Sequence, residues 1–148
     1  MSLYQKLQQR AEENKPILVG MIGIGKFGSM YLAQVPNTPG VEVVGVADLS
    51  PSQAKSNLLR VGWEGDRLSV DSLDDAISLG RTYVTDDWEA LVEHPEIDVI
   101  VESTGSPTDA VNHILAEFAH GKHVVNVTVE ADAICGPLLA KKASSAGV

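Results

Sequence analysis

An apolar run, Ile17-Leu18-Val19-Gly20-Met21-Ile22, passes directly into Gly23-Ile24-Gly25-Lys26-Phe27-Gly28, and a second run, Val41-Glu42-Val43-Val44-Gly45-Val46-Ala47, ends on Asp48. Short apolar runs bounded by turn signals read as buried strands. Met30 to Val35 supplies a short helix between them, and Pro36-Asn37-Thr38-Pro39-Gly40 supplies the return loop. Strand, helix and strand in that order make a right-handed βαβ unit. Within it Gly23 turns the chain off the first strand, Gly25 allows close approach of a ligand to the backbone, and Gly28 lets the helix pack closely on the sheet.

The unit is built to hold an anion and then a sugar. Free amides and the positive end of the helix dipole at Lys26 to Ser29 suit a pyrophosphate. Asp48 stands 20 residues after Gly28, where a carboxylate accepts hydrogen bonds from ribose hydroxyls. The glycines alone match ordinary turns; the complete βαβ unit around them carries the dinucleotide reading. Gly23, Ile24, Gly25, Lys26, Phe27, Gly28, Asp48 and Ser50 are therefore expected at the cofactor. Asp48 should repel a 2′-phosphate, which favours NAD, whereas Ser50 and Lys55 could rearrange around the phosphate of NADP.

The rest of the chain continues the alternation. Residues 2 to 14 place Leu3, Leu7 and the aliphatic part of Arg10 at helical spacing, so residues 1–15 read as an N-terminal helix that packs on the body or on another subunit. Ser50-Pro51 opens a helix to about Arg60, with Ser50 as its N-cap. Residues 61 to 80 resemble an insertion, with Trp63 packing it onto the body and a short helix at 72–79 ended by Gly80. Strands are expected at Thr82–Val84, Asp98–Val101 and Lys122–Asn126. Helices are expected at Asp87–Val92, Ser106–His120 and Gly136–Ser145. The helix at 106–120 would bury Ala110, Val111, Ile114, Leu115 and Phe118. The fold class is α/β: a Rossmann-type, doubly wound, mostly parallel sheet over residues 16–148, with Ala146-Gly147-Val148 leading into a further strand and the substrate domain expected outside this chain.

In such a sheet ligands bind beyond the carboxyl ends of the strands. Two more loops should reach that cleft: Glu102-Ser103-Thr104-Gly105-Ser106-Pro107 and Asn126 to Glu130. Ser103 and Thr104 offer hydroxyls, Gly105 permits close backbone approach, and Asn126 offers an amide, so these four complete the expected cofactor set. Ser106 and Pro107 also suit a helix start. Glu130 and Asp132 suit the first turn of a helix, where carboxylates complement the dipole. His94, His113, His120 and His123 follow no metal-ligand spacing, and none is assigned a catalytic role.

A net charge of −9 with only 11 scattered Lys and Arg argues against a nucleic-acid surface. The lone Cys135 forms no disulfide framework, which together with the lack of a signal-peptide pattern or membrane-length apolar run points to a reducing, cytoplasmic location. The expected partners are the dinucleotide and a small-molecule substrate, and a homo-oligomer is compatible with the sequence.

Taken together, Val19-Gly-Met-Ile-Gly-Ile-Gly-Lys-Phe-Gly28, Val44-Gly-Val-Ala-Asp48, Asp98-Val-Ile-Val-Glu-Ser-Thr-Gly105 and Gly121-Lys-His-Val-Val125 resemble the N-terminal domain of homoserine dehydrogenase-like oxidoreductases. The likeness looks closest to the branch carrying a SAF-type domain, which includes reductoisomerase-like enzymes acting on 1-deoxy-D-xylulose 5-phosphate. It implies an NAD(P)-dependent oxidoreductase in which this domain positions the nicotinamide, with little or no turnover by the domain alone. The alternatives are the cofactor domain of a sugar-phosphate reductoisomerase and a non-catalytic dinucleotide sensor. One departure bears on the substrate. Homoserine dehydrogenases follow Gly-Lys-His-Val-Val with Thr-Ala-Asn-Lys, whose lysine lies at the active site, whereas this chain reads Asn126-Val-Thr-Val129 and then Glu130.

Overall fold

A computed structural model describes residues 1–148 as five parallel strands with helices on both faces. The strands are β1 (Ile17–Ile22), β2 (Val41–Ala47), β3 (Tyr83–Thr85), β4 (Val99–Glu102) and β5 (His123–Asn126), in the spatial order β3-β2-β1-β4-β5. The helices are α1 (Leu3–Glu12), α2 (Lys26–Gln34), α3 (Pro51–Arg60), α4 (Leu73–Leu79), α5 (Trp88–Glu93), α6 (Pro107–Ala119) and α7 (Val129–Ala146). Because β1 lies between β2 and β4, the chain leaves it in one direction and returns on its other side. This is the switch point at which an open sheet forms a crevice.

Alternation along the strands divides the core. Val19, Met21, Val43, Val46 and Val101 face a cluster that includes Leu32, Leu58 and Trp63, while Ile22, Val44, Ala47 and Ile100 face one that includes Leu73, Leu91 and Ile97. A register shift between Val19 and Gly20 preserves both faces across the β1–β2 ladder. On the second face the short α5 descends onto the sheet because Gly20 and Gly45 carry no side chain. A Cβ on Gly45 would stand 2.9 Å from Leu73 Cδ2 and 3.0 Å from Leu91 Cγ.

The insertion is anchored by Trp63. Its Nε1 donates to the Leu32 carbonyl at 2.7 Å, and the Arg67 guanidinium lies 4.5 Å from its ring centre. Ser72 caps α4 through Asp75 N, and Gly80 ends it in the left-handed region at φ 63°. At the other pole of the sheet, Asp98 N donates to the Leu18 carbonyl, and Asp98 Oδ2 accepts from Leu18 N. Lys122 is buried, its Nζ donating to the carbonyls of His94 and Ile97. These contacts explain why β4 and β5 each begin one residue later than the sequence suggests.

Other expectations are corrected. α2 begins at Lys26, four residues before the expected Met30. β3 starts at Tyr83 because Thr82 spends its hydroxyl on the Val43 carbonyl. α6 turns a partly shifted face inward: Ala110 and Ile114 are buried as expected and are joined by His113 and Glu117, whereas Val111 and Phe118 are half-buried and Leu115 is exposed. Gly136-Pro137 does not begin the last helix; α7 runs through it from Val129, so no loop extends to Glu130. Pro137 removes one backbone donor within a helix of 18 residues, and packing on α6 sustains the rest. Ser50 caps α3 by position only, with its hydroxyl turned to Ser52. Gly147 closes α7 in the left-handed region, and Val148 forms no strand. α1 has a capping box between Ser2 and Gln5 but buries no residue. No helix is long and apolar enough to cross a membrane.

The tight seat of α5 makes Gly45→Val a test of the packing. Overfilling a formed core costs about 1–3 kcal/mol, and urea unfolding should report a lower midpoint with an unchanged slope. A midpoint equal to wild type would show that Leu73 and Leu91 yield freely.

Candidate functional site

The first three strands to enter the sheet's centre finish at one level, and the chain leaves each on a different course. Gly23 N donates to the Ala47 carbonyl at 2.8 Å, and Ser103 N donates to the Ile22 carbonyl at 2.8 Å, so the β1, β2 and β4 ends are bonded together. Gly23 has φ 88°, and a Cβ there would stand 2.8 Å from the Ser103 carbonyl oxygen. A Cβ on Gly28 would meet the Gly23 carbonyl at 2.9 Å. Both glycines are fixed by the protein's own packing.

Gly25 differs. Its φ of −71° is open to any residue, and nothing lies within 4 Å of the place a Cβ would take. Neither strain nor packing in the chain calls for glycine there. What a side chain would fill is the space in front of the α2 amides, which have no side-chain cap.

A cleft of about 400 Å³ opens at this point. Of the expected residues, Gly23, Ile24, Gly25, Asp48, Ser103 and Thr104 line it. Asp48 is held in place by two amides: Ile24 N donates to Oδ2 and Ser50 N to Oδ1, each at 3.0 Å. Gly25 and Lys26 also line an adjoining groove with Ser29, Asn57 and Arg60. Asn57 Nδ2 donates to the Ile24 carbonyl, and Arg60 bonds Asn57, so α3 braces the glycine loop. Phe27 is exposed, Gly28 lies beneath the loop, and Ser50 faces Ser52; none of these three lines the cleft. Lys55 belongs to a separate groove beside Leu59 and Asp71.

The far wall rests on a buried carboxylate. Glu102, 0 % exposed at the end of β4, accepts from Thr104 N at 3.2 Å, Thr104 Oγ1 at 2.5 Å and Thr128 Oγ1, and faces His113 Nδ1 at 3.4 Å. Thr128 Oγ1 in turn accepts from Gly105 N at 3.1 Å. Gly105 is thus held behind the wall and does not line the cleft. Asn126 ends β5 opposite Glu102 with its Oδ1 buried and unpartnered, and it too lies outside the lining. Burial would raise the Glu102 pKa, but hydrogen bonds from His113, Thr104 and Thr128 outweigh it and hold the carboxyl below its ordinary value. Glu117, one turn after His113 on α6, has both oxygens buried and unpartnered. Burial, and then the charge of Glu102, push its carboxyl up to about 8.

The cleft is also lined by Ile22 and Ala47 at the strand ends, by Leu49 and Ser106 within loops expected to reach it, and by Asp86, Trp88, Asp109 and His113, which were not assigned from sequence. The strand-end rule points to the loop after β3, and hence to Asp86, as readily as to the others. Asp109 and His113 follow from helical spacing only once the inward face of α6 is known. No group of three or more His, Cys, Asp or Glu side chains is placed to hold a metal ion.

Comparison with known proteins bears on the fold and the family. The sequence model of the homoserine dehydrogenase NAD-binding domain matches residues 23–148. A homoserine dehydrogenase from Synechocystis sp. is 31% identical over 134 residues, covering 89% of this chain and 28% of its own length. One from Methylobacillus glycogenes is 30% identical over 136 residues, covering 88% of this chain and 30% of its own. The chain thus spans less than a third of these relatives. Among solved structures, a homoserine dehydrogenase from Thiobacillus denitrificans superposes with a TM-score of 0.64 at 27% identity, over 90% of this chain and 28% of that one. A Lactobacillus casei myo-inositol dehydrogenase, solved with NAD(H) and myo-inositol, shares the fold at a TM-score of 0.55 and 18% identity, over 75% of this chain and 28% of that one.

The buried acid sets a pH dependence. A carboxyl whose folded pKa lies above its unfolded value stabilises the fold fully at low pH, and that contribution is lost as pH rises through the folded pKa. Stability should therefore fall between about pH 4.5 and 8, and Glu117→Gln, which cannot ionise, should flatten that fall. Urea unfolding at pH 5, 7 and 9 reads both, and parallel curves for the two proteins would place the titration elsewhere.

Proposed function

The chain belongs to the family of homoserine dehydrogenase NAD-binding domains, and from that premise we propose that it holds NAD across the β1 crevice and presents the nicotinamide for hydride transfer in an oxidoreductase. The observation that supports the reading is Gly25: neither strain nor packing calls for glycine there, and the position opens onto the cleft at the uncapped start of α2. The pyrophosphate lies over Gly23, Ile24 and Gly25 against the α2 amides, with Lys26 and Arg60 in the adjoining groove as nearby cations. Asp48 takes the adenosine ribose hydroxyls. Ile24 N and Ser50 N fix its carboxylate for that task while leaving lone pairs free.

Ser103 and Thr104 line the path toward the nicotinamide. Glu102 acts as their positioning residue, since it bonds Thr104 directly and reaches Gly105 through Thr128. Gly28 supports the glycine loop from beneath, Gly105 is held to Thr128 behind the wall, and Ser50 N holds Asp48. The bound cofactor supplies the hydride chemistry, and the protein supplies orientation and electrostatics. Val129 stands where the resemblance puts a lysine. It opens α7, 65 % exposed, and has no proton to transfer. The reading therefore stops short of homoserine as substrate. Turnover belongs to a larger assembly than this chain, which binds cofactor with little or no activity of its own.

NAD is favoured over NADP because a 2′-phosphate would meet the Asp48 carboxylate, and Lys55 lines a different groove. Nicotinamide fluorescence should show NADH binding at least tenfold tighter than NADPH; failure of both to bind at millimolar concentration sinks the proposal. Asp48→Ser should weaken NADH by about tenfold, near the 1–3 kcal/mol of a lost charged hydrogen bond, and narrow the preference between the two. Unchanged affinities would remove Asp48 from the ribose.

A further inference from the structure

The glycine loop is held, peptide by peptide, by the ends of β2 and β4 and by α3. Gly23 N donates to the Ala47 carbonyl, and the Gly23 carbonyl accepts from Ser103 Oγ at 2.8 Å. Ile24 N donates to Asp48 Oδ2 at 3.0 Å, and the Ile24 carbonyl accepts from Asn57 Nδ2 at 3.4 Å. The next donor along the chain, Gly25 N, is accepted by nothing in the protein.

That free amide is aimed through the peptide plane it shares with Ile24. In a trans peptide the C=O and N–H point in opposite directions, so holding the Ile24 carbonyl on Asn57 turns Gly25 N–H away from α3. Gly25 lines the cleft, whereas Asn57 lines only the adjoining groove. Gly25 does not hold the plane by itself. Turning the plane over would carry its φ from −71° to positive values, which glycine adopts without penalty. The setting comes from the side chain that grips the carbonyl.

Asn57 is itself given a direction. Its Oδ1 accepts from Gln53 Nε2 at 3.3 Å and from Arg60 Nη2 at 3.4 Å, one turn to either side on α3. A guanidinium only donates, so the carboxamide oxygen belongs on that side and Nδ2 is left to face Ile24.

We propose that Asn57 is a positioning residue for the dinucleotide: oriented by Arg60 and Gln53, it holds the Ile24–Gly25 peptide so that the Gly25 amide is presented to the pyrophosphate. This step rests on the dinucleotide reading above. Asn57 acts through the backbone of the loop, and a donor already turned outward needs no reordering when the anion arrives.

Asn57→Leu keeps the shape of the side chain and removes its donor without adding charge, and Asn57→Gln restores a donor. By nicotinamide fluorescence, NADH should bind Asn57→Leu about fivefold more weakly than wild type, as for one lost neutral hydrogen bond, and Asn57→Gln should recover to within about twofold. In ¹H–¹⁵N spectra of the ligand-free proteins, the Gly25 amide should shift in Asn57→Leu while that of Ile24, still bonded to Asp48, stays in place. Equal NADH affinity in wild type and Asn57→Leu overturns the inference and leaves the dinucleotide reading standing. Joint displacement of the Ile24 and Gly25 amides reduces Asn57 to a general brace of the loop, and a Gln variant as weak as the Leu variant removes its donor from the account; either result overturns the inference. Wild type that binds no NADH at millimolar concentration fails the dinucleotide reading itself, and the inference falls with it.

Discussion

The approach of β1 to β4 at their carboxyl ends governs the rest of the molecule. Gly23 lies against Ser103 closely enough that a side chain would stand 2.8 Å from its carbonyl, and Ser103 answers with Oγ donating to the Gly23 carbonyl at 2.8 Å. With that contact made, the two chains must diverge, one into α2 and the other around Gly105 into α6. The crevice is the space they leave. Gly28 extends the same constraint down the first turn of α2, where the helix rests directly on the strand end. Asp48 is then brought into register by the bond from Gly23 N to Ala47 and by the bond from Ile24 N to its own carboxylate.

The second constraint is electrostatic. Burying an unpaired carboxylate costs several kcal/mol, so a fully buried Glu102 requires donors. They come from three segments: Thr104 after β4, Thr128 after β5 and His113 on α6. The demand of one charge thereby fixes two loops and the rotation of a helix. Glu117 lies on the same face and has no donor at all. It is accommodated in the protonated form, because a second charge beside Glu102 would be both desolvated and repelled.

These two constraints mark where the sequence was legible. β1, the glycine loop, β2 and Asp48 follow from local rules, namely apolar runs, a turn that needs positive φ and fixed spacing, and the structure places them as expected. α6 does so only in part. Apolar periodicity selects Ala110, Val111, Ile114, Leu115 and Phe118, of which Ala110 and Ile114 are buried, whereas His113 and Glu117 complete the inward face; His113 meets Glu102, 11 positions away, a contact that exists only once β4 is in the sheet. The continuous α7 was hidden for the opposite reason. Gly136-Pro137 is a strong local stop, overruled by packing against α6. Asp109 carries no local signal, since an aspartate at a helix start serves equally as a dipole partner. Asp86 is separated from its neighbour Asp87, which is used as a cap, by its position on the cleft.

The charge of the chain acquires a direction in this arrangement. A net charge of −9 would repel a dinucleotide if it were spread evenly over the crevice. Instead the glycine loop adjoins Lys26 and Arg60 together with the uncapped amides of α2, while Asp48 stands at the end of β2 with its carboxylate held by two amides. On the proposed reading the phosphates of a dinucleotide meet the amides and a donor-bearing ribose meets Asp48, which matches that field in one orientation. Reversal would set the phosphates against carboxylates and leave the amides unpaired. On the proposed reading, orientation by the field thus precedes any specific hydrogen bond.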